Sequence, residues 1–290
     1  MDRQHDSTGP RPARLIGRTA LITGAARGQG RSHAVALAAE GADVVVCDIG
    51  DAGGVATVPY ALSNGADLDE TVRLVEQLGR RCIGLQADVR DTDQVDRAVS
   101  VAVDQFGHLD ILVANAGICG FGSFWEISDE MWRDMIDVDL TGTFKSMRAA
   151  VRPMIDQGAG RIIVTSSMAG RRGSRNLAHY TAAKWGVIGL MKTLALEVAA
   201  HGITVNAVCP ATVDTPMVHN DAFYGLFAPD IDQPTRETVA PRYASLNPIP
   251  VPWVDPADVS NAVVFLASDD ARYISGSTVD VNCGSTATMP

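Results

Sequence analysis

Seven short, unbroken apolar runs punctuate the chain: "TALITG" (19–24), "ADVVVCD" (42–48), "CIGLQADV" (82–89), "LDILVANAG" (109–117), "GRIIVTSS" (160–167), "ITVNAVCP" (203–210) and "STVDVNCG" (277–284). Between them lie amphipathic stretches with helical spacing, such as "DTDQVDRAVSVAVDQFG" (91–107) and "AAKWGVIGLMKTLALEVAAHG" (182–202). Short continuous apolar runs, without polar alternation, are the mark of strands covered on both faces. Strand and helix in alternation, with buried strands, predict an α/β fold: a doubly wound parallel sheet of about seven strands with helices on both faces. No composition break or repeat divides the chain, so a single domain is expected. With 290 residues, 46% of them hydrophobic, it can bury a large core.

Two stretches break the alternation. "IGDAGGVATVPYALSNGADLDE" (49–70) is glycine-rich and too long for an ordinary connection. Residues 211–255 carry many prolines and aromatics, as in "FYGLFAPDIDQPT" and "NPIPVPWVDP". Loops of such length in a compact domain are functional or disordered. The rings and prolines of the second favour a lid over a pocket. The opening "MDRQHDSTGPRPAR" (1–14) lacks the apolar core of a signal peptide, and no later run approaches a membrane span. It reads as a disordered tail ahead of a domain over 15–290, in a cytoplasmic protein. A net charge of −10 gives no footprint for nucleic acid or for an anionic membrane surface. The five cysteines, Cys47, Cys82, Cys119, Cys209 and Cys283, show no C-x-x-C pairing and read as free, buried thiols in a reducing compartment. The six histidines have no metal-ligand spacing, so no metal site is expected.

The stretch "TALITGAARGQGRSHAVALAAEGADVVVCD" begins with a strand, then turns into a helix through Gly24, Gly28 and Gly30. Glycine lets backbone approach a pyrophosphate closely, and the helix behind it aims amides and a positive dipole end at the anion. A second strand follows and ends at Asp48, eighteen residues after Gly30. Its carboxylate can accept from a ribose 2′-hydroxyl and would repel a 2′-phosphate, which favours NAD over NADP. Arg27 is a cation in the same turn and could greet an extra phosphate, but no basic residue directly follows Asp48. The arrangement predicts a Rossmann-type dinucleotide site. Asp88 and Val89, ending the third run, are placed to touch adenine; Asp88 as a plain turn residue is the alternative.

Ser167 stands just past the carboxyl end of the fifth strand, at the edge where open α/β sheets bind ligands. Tyr180 comes thirteen residues later and Lys184 four beyond that, one helical turn away on the same face. A carbinol or carbonyl oxygen held between Ser167 and Tyr180 would be polarised by one hydroxyl and exchange its proton with the other. Lys184 would stabilise the phenolate and donate to the nicotinamide ribose. Hydride would then pass between that carbon and the nicotinamide.

From about Leu15 to its end the sequence resembles the short-chain dehydrogenase/reductase family. The matching motifs are "TGAARGQG", "ANAG" (114–117), Ser167 with Tyr180-x-x-x-Lys184, and "CPATVDTP" (209–216). The resemblance implies that Asn115 steadies the central strand beside the cofactor and that Val213 and Thr215 contact the nicotinamide. It also implies a homotetramer with helix contacts that include the Tyr180 helix, where the glycines and alanines of "WGVIGLMKTLA" permit close approach. The insertion, the lid and "VPWVDPADVSNAVVFLASDDARYISG" resemble the mycofactocin-associated, carveol-dehydrogenase-like subfamily. That likeness implies NAD(H) held tightly under the insertion, with electrons leaving to a mycofactocin-type acceptor. A surface loop without a role is the alternative for the insertion.

One position departs from the family. Where it has an asparagine in "V-N-L-x-G", a fourth catalytic residue that helps hold a water beside the lysine, this chain has Asp139 in "IDVDLTG". A carboxylate near Lys184 would weaken its pull on Tyr180, so the phenol would ionise at higher pH. Drift at a tolerant position, or a catalytically dead cofactor sensor, are the alternatives. The expected activity is NAD-dependent interconversion of a hydrophobic secondary alcohol and its ketone. A 3-ketoacyl reductase of fatty-acid type, ordinarily using NADPH, and an NAD-binding regulatory protein are the rivals. Phe121, Phe124 and Trp125 are expected either to wall the pocket or to pack in the core. His179 is a candidate near substrate, and "RRGSR" (171–175) is either a binding cluster or a solvated loop.

Overall fold

In the computed structural model, which describes residues 13–50 and 54–287, each of the seven apolar runs contains one strand. These are β1 (Thr19–Thr23), β2 (Asp43–Asp48), β3 (Cys82–Gln86), β4 (Ile111–Ala114), β5 (Gly160–Thr165), β6 (Ile203–Pro210) and β7 (Thr278–Val281). They pair in parallel in the order β3-β2-β1-β4-β5-β6-β7. The chain crosses from one half of the sheet to the other between β1 and β4, and the crevice above that switch point is where such sheets hold ligands.

Side chains alternate between two cores, as the period of a strand requires. Leu21, Val45, Leu112 and Ile162 face one layer, built from α3 (Thr92–Phe106), α5 (Thr143–Gln157) and α6 (Ala178–Glu197). Ile22, Val44, Ile111 and Ile163 face the other, built from α1 (Gly28–Ala39), α2 (Gly65–Glu76) and α9 (Pro256–Ala267). Both faces of β1, β2, β4, β5 and β6 are therefore dry, which is why they read as continuous apolar runs, while the edge strands β3 and β7 are only partly covered.

Three boundaries differ from the sequence reading. Residues 65–70 are not loop: Asn64 and Asp67 cap each other's backbone amides reciprocally, which starts α2 at Gly65. The stretch 211–255 is not irregular throughout, since it folds α7 (Asp221–Phe227) and α8 (Arg236–Ser245) around a small core of Val218, Tyr224, Val239 and Tyr243. The tail expected over 1–14 lies outside the described residues as far as position 12. Arg14 is fixed, its amide and guanidinium both donating to Glu40, at 3.0 and 2.6 Å.

His33 of α1 is wholly buried against α9, its Nδ1 2.8 Å from the Ser260 hydroxyl. Burial lowers its pKa to about 3. The unfolded chain then binds the extra proton first, so stability is full above the ordinary histidine range and is lost as pH falls from there toward 3. The loss should approach about 1.4 kcal/mol per pH unit for this one group. Urea midpoints at pH 7 and pH 5 should converge more closely in His33→Gln than in the parent protein.

Candidate active site

The turn after β1 is closed to side chains. A Cβ on Gly30 would lie 2.1 Å from the Gly24 carbonyl oxygen, and one on Gly24 would lie 2.6 Å from Ala116 Cα. Gly24 and Gly28 also have positive φ, +66° and +57°. No side chain caps α1: Arg27 occupies the cap position without a capping bond. The first amides of α1 thus open on a cavity lined by Gly24, Arg27, Gly28 and Gly30, a backbone cradle suited to a pyrophosphate. Asn115 ties the turn to the sheet, donating from Nδ2 to the carbonyls of Thr23 (3.1 Å) and Gly24 (3.2 Å).

Asp48 ends β2 at the rim of an adjoining smaller cavity, lined also by Ala87, Asp88, Val89, Ala116 and Val138. A carboxylate at this rim suits a ribose diol better than a 2′-phosphate. Asp48 Oδ2 accepts from the Ala26 amide at 2.9 Å, and Oδ1 accepts from the Ile49 amide and the Ser63 hydroxyl. Asp88 sits beyond the end of β3, not within it. Its carboxylate is gripped by the Arg90 guanidinium, at 2.7 to 3.1 Å, so it serves the turn as well as the cavity wall. Arg27 lines the cavity and is tied at one nitrogen to the Ala61 carbonyl, which fixes its guanidinium beside the cradle.

That contact belongs to a strap, residues 54–64, drawn across the cavity. Thr57 donates to Asp134 at 2.8 Å, and the Tyr60 hydroxyl accepts from the Cys119 amide at 3.0 Å. Tyr60 also meets the lid, its ring edge-on to Phe223 with centroids 6.3 Å apart. Met217, Val218, Phe223, Phe227 and Tyr243 form an apolar roof over the same space. Val213 and Thr215 line the cavity below them, with Thr215 against Gly28. Tyr60, Ser63, Cys119, Phe223 and Tyr243 escape sequence reading, since their places depend on how the strap and lid fold.

Ser167, Tyr180 and Lys184 come together in this cavity. Ser167 follows β5, and its Oγ accepts from the Ala169 amide at 3.1 Å. Tyr180 lies in the first turn of α6 and lines the same cavity as Ser167. Lys184 Nζ stands 5.4 Å from the centre of the Tyr180 ring and donates to the Thr165 carbonyl at 3.1 Å. Asp139 is fully buried, and its Oδ2 lies 3.1 Å from Lys184 Nζ, while Oδ1 accepts from the Ile118 amide at 2.8 Å. A wide, π-type turn over Ile136–Gly142, joining α4 (Asp129–Met135) to α5, carries Asp139 there. Gly117, the last residue of "ANAG", leaves room for the pair: a Cβ would come within 3.3 Å of both Asp139 Oδ2 and Lys184 Nζ.

Burial raises the Asp139 carboxyl above its ordinary range, and Lys184 and the Ile118 amide draw it back. Burial, then the Cys119 thiol and Asp139, push the Tyr180 phenol well above its ordinary pKa, while the Ser167 hydroxyl acts the other way. The ammonium expected to steady a phenolate is therefore matched by a carboxylate at contact distance. Such a site can bind an oxygen between two hydroxyls and move a proton, the neutral phenol giving one to a ketone and the phenolate taking one from an alcohol.

Several expected neighbours are elsewhere. Phe124 and Trp125 are 78% and 85% exposed, neither pocket wall nor core, because the loop after "ANAG" turns them outward; Phe121 alone reaches the lid, edge-on to Phe223 at 5.3 Å. Arg171 bonds Thr278 and pairs with Asp280 at 3.5 Å, so the "RRGSR" segment is anchored to the β7 region. His179 is buried beside Gly120, its Nδ1 unpartnered. Among the described residues, no three His, Cys, Asp or Glu side chains converge as metal ligands would, and no helix is long and apolar enough to cross a membrane.

The family model described as short chain dehydrogenase matches residues 18–222. The (-)-trans-carveol dehydrogenase of Rhodococcus erythropolis is 47% identical over 276 residues, covering 94% of this chain and 99% of the relative. A crystal structure of carveol dehydrogenase from Mycobacterium avium in complex with NAD superposes with a TM-score of 0.93 at 47% identity, over 95% of this chain and all of that one. A short chain dehydrogenase from Mycobacterium paratuberculosis bound to NAD follows at 0.86 and 39% identity, over 94% and 99%.

Proposed function

The chain belongs to the short-chain dehydrogenase family and is an NAD-dependent oxidoreductase, and on that footing we propose that its substrate is a hydrophobic secondary alcohol, interconverted with its ketone. The convergence of Ser167, Tyr180 and Lys184 beneath an apolar roof carries this reading. Bound NAD supplies the hydride acceptor. In oxidation Ser167 orients the carbinol oxygen, and Tyr180 takes its proton as general base. Lys184 holds positive charge beside the phenol and is positioned to donate to ribose. Gly24, Arg27, Gly28, Gly30, Asp48, Asp88, Val89, Asn115, Val213 and Thr215 form the cofactor surface.

The strap supports a finer reading, that NAD(H) is held tightly. Ser63 and Ala61 close over Asp48 and Arg27, so release would require breaking these contacts. A chain built this way would pass its electrons to a second carrier of mycofactocin type, as the carveol-dehydrogenase-like subfamily is understood to do. A cytoplasmic homotetramer completes the reading, with Trp185 (52% exposed) and Leu196 (83%) offering an apolar face on α6. The test is to denature protein purified without added cofactor and identify any nicotinamide by mass, before and after dialysis against excess NADP+. NAD(H) near one per chain, with alcohol oxidation supported by an artificial electron acceptor, is expected. An empty protein that turns over with freely added NAD+ would remove the tight-binding part.

Asp139 gives this activity a pH signature. Alcohol oxidation needs the Tyr180 phenol deprotonated, and a neighbouring carboxylate opposes that. Asp139→Asn removes the negative charge, so the rising limb of the oxidation pH profile should move to lower pH by about one unit. Superimposable profiles for the two proteins would rule out this role.

A further inference from the structure

With a reacting oxygen placed between Ser167 and Tyr180, the cavity still holds polar atoms that nothing in the protein satisfies. The Tyr243 hydroxyl and the Ser174 hydroxyl are both buried without a hydrogen-bond partner, and both residues line the cavity that contains Ser167 and Tyr180. Tyr243 is the more telling. It lies on α8, 1% exposed, with its ring packed on Phe227 at 4.3 Å and near Trp253 at 5.8 Å. Phenylalanine would serve that packing as well and would not bury an unpaired hydroxyl, which is unfavourable. Tyr224, in the same small core, has its hydroxyl 2.8 Å from His219 Nδ1, so the lid has means to satisfy a phenol where it folds only on itself.

Tyr243, with its hydroxyl buried and unpartnered, lines the same cavity as the reacting groups. Cys119, Tyr180 and Tyr243 all line this one cavity. Burial keeps the Tyr243 phenol a neutral O–H that can donate one hydrogen bond and accept another. Among the described residues lining the cavity, the cations are Arg27 and Lys184, and both are engaged, by the Ala61 carbonyl and by Asp139. A neutral hydroxyl, carbonyl or ether oxygen can exchange a hydrogen bond with the phenol without a counter-ion.

We propose that Tyr243 is a specificity-determining residue that reads a second, neutral oxygen of the substrate, so that the preferred substrates are apolar alcohols or ketones bearing another oxygen away from the reacting carbon. This rests on the alcohol–ketone reading above and narrows its substrate class. The protein is tested with its NAD, using an artificial electron acceptor and matched pairs of alcohols: 4-ethylcyclohexanol against 4-methoxycyclohexanol, and 2-decalol against decalin-2,6-diol. The wild type should favour the dioxygenated member of at least one pair in kcat/KM, and Tyr243→Phe should reduce that ratio about tenfold, the effect of one buried neutral hydrogen bond. A general loosening of the lid would weaken both members of a pair and leave the ratio unchanged. An unchanged ratio, or no preference in any pair, overturns the proposal. If no alcohol is turned over, the activity reading fails, and recognition is still decided by the thermal shift each matched ketone produces. A larger shift from the dioxygenated ketone that Tyr243→Phe abolishes sustains Tyr243 as the reader, and equal shifts in both proteins refute it.

Discussion

Replacing Tyr180 by phenylalanine should lower kcat for alcohol oxidation by roughly 10²–10⁴-fold, the range that a positioned acid–base group contributes. The substitution keeps the ring that stands 5.4 Å from Lys184 Nζ and removes only the hydroxyl. The glycine turn, Asp48 and the strap are untouched by it, so nicotinamide content per chain should stay at the wild-type level. The two measurements together separate a chemical role from a structural one. A variant that keeps more than about a tenth of wild-type kcat with bound NAD would assign the proton to another group. One that is slow and also empty would make Tyr180 a cofactor contact first.

Lys184→Met should destabilise the fold by about 3–5 kcal/mol, in addition to abolishing turnover, because it leaves Asp139 buried without its counter-charge. Lys184 is 4% exposed and Asp139 is not exposed at all, so solvent does little to shield either. The ammonium's other partner, the Thr165 carbonyl, is a lesser loss. Adding Asp139→Asn to Lys184→Met should restore most of the stability and none of the activity, since the amide oxygen can still accept from the Ile118 amide. Urea denaturation of the four proteins forms a double-mutant cycle whose interaction term reads the pair directly. Additive losses would mean that the two charges do not sense each other in the folded protein.

The layered sheet was readable because burial on both faces removes polar alternation. That is why "ADVVVCD" and "GRIIVTSS" announce β2 and β5 almost to the residue. The glycine turn was readable for a related reason, since Gly24 and Gly30 have no room for a side chain whatever binds beside them. Asp139 could be placed near Lys184 only through family likeness, because the two lie on separate elements and spacing rules reach only along one helix. Phe124 and Trp125 show the opposite limit: an aromatic residue in a loop carries no sign of which way the loop turns. Tyr60 was hidden because its contacts, to Cys119 and Phe223, come from distant segments, and Ser63 and Tyr243 because stretches that read as irregular carry no periodicity that says which side chains turn inward. The start of α2 could have been found, for Asn64 and Asp67 have the three-residue spacing of a reciprocal cap.

The edge contact between Tyr60 and Phe223 joins the strap over the adenosine end to the roof over the substrate end. Two doors that share a latch cannot swing independently. Inhibitors that wedge under the roof and press Phe223 toward Tyr60 should then grip the cofactor-loaded protein more firmly than the bare one, and their inhibition should deepen as the enzyme fills. Compounds that splay the roof should do the reverse and hasten loss of the nicotinamide. Drug-like molecules for this cavity would be sorted less by affinity than by which way they turn that one aromatic hinge.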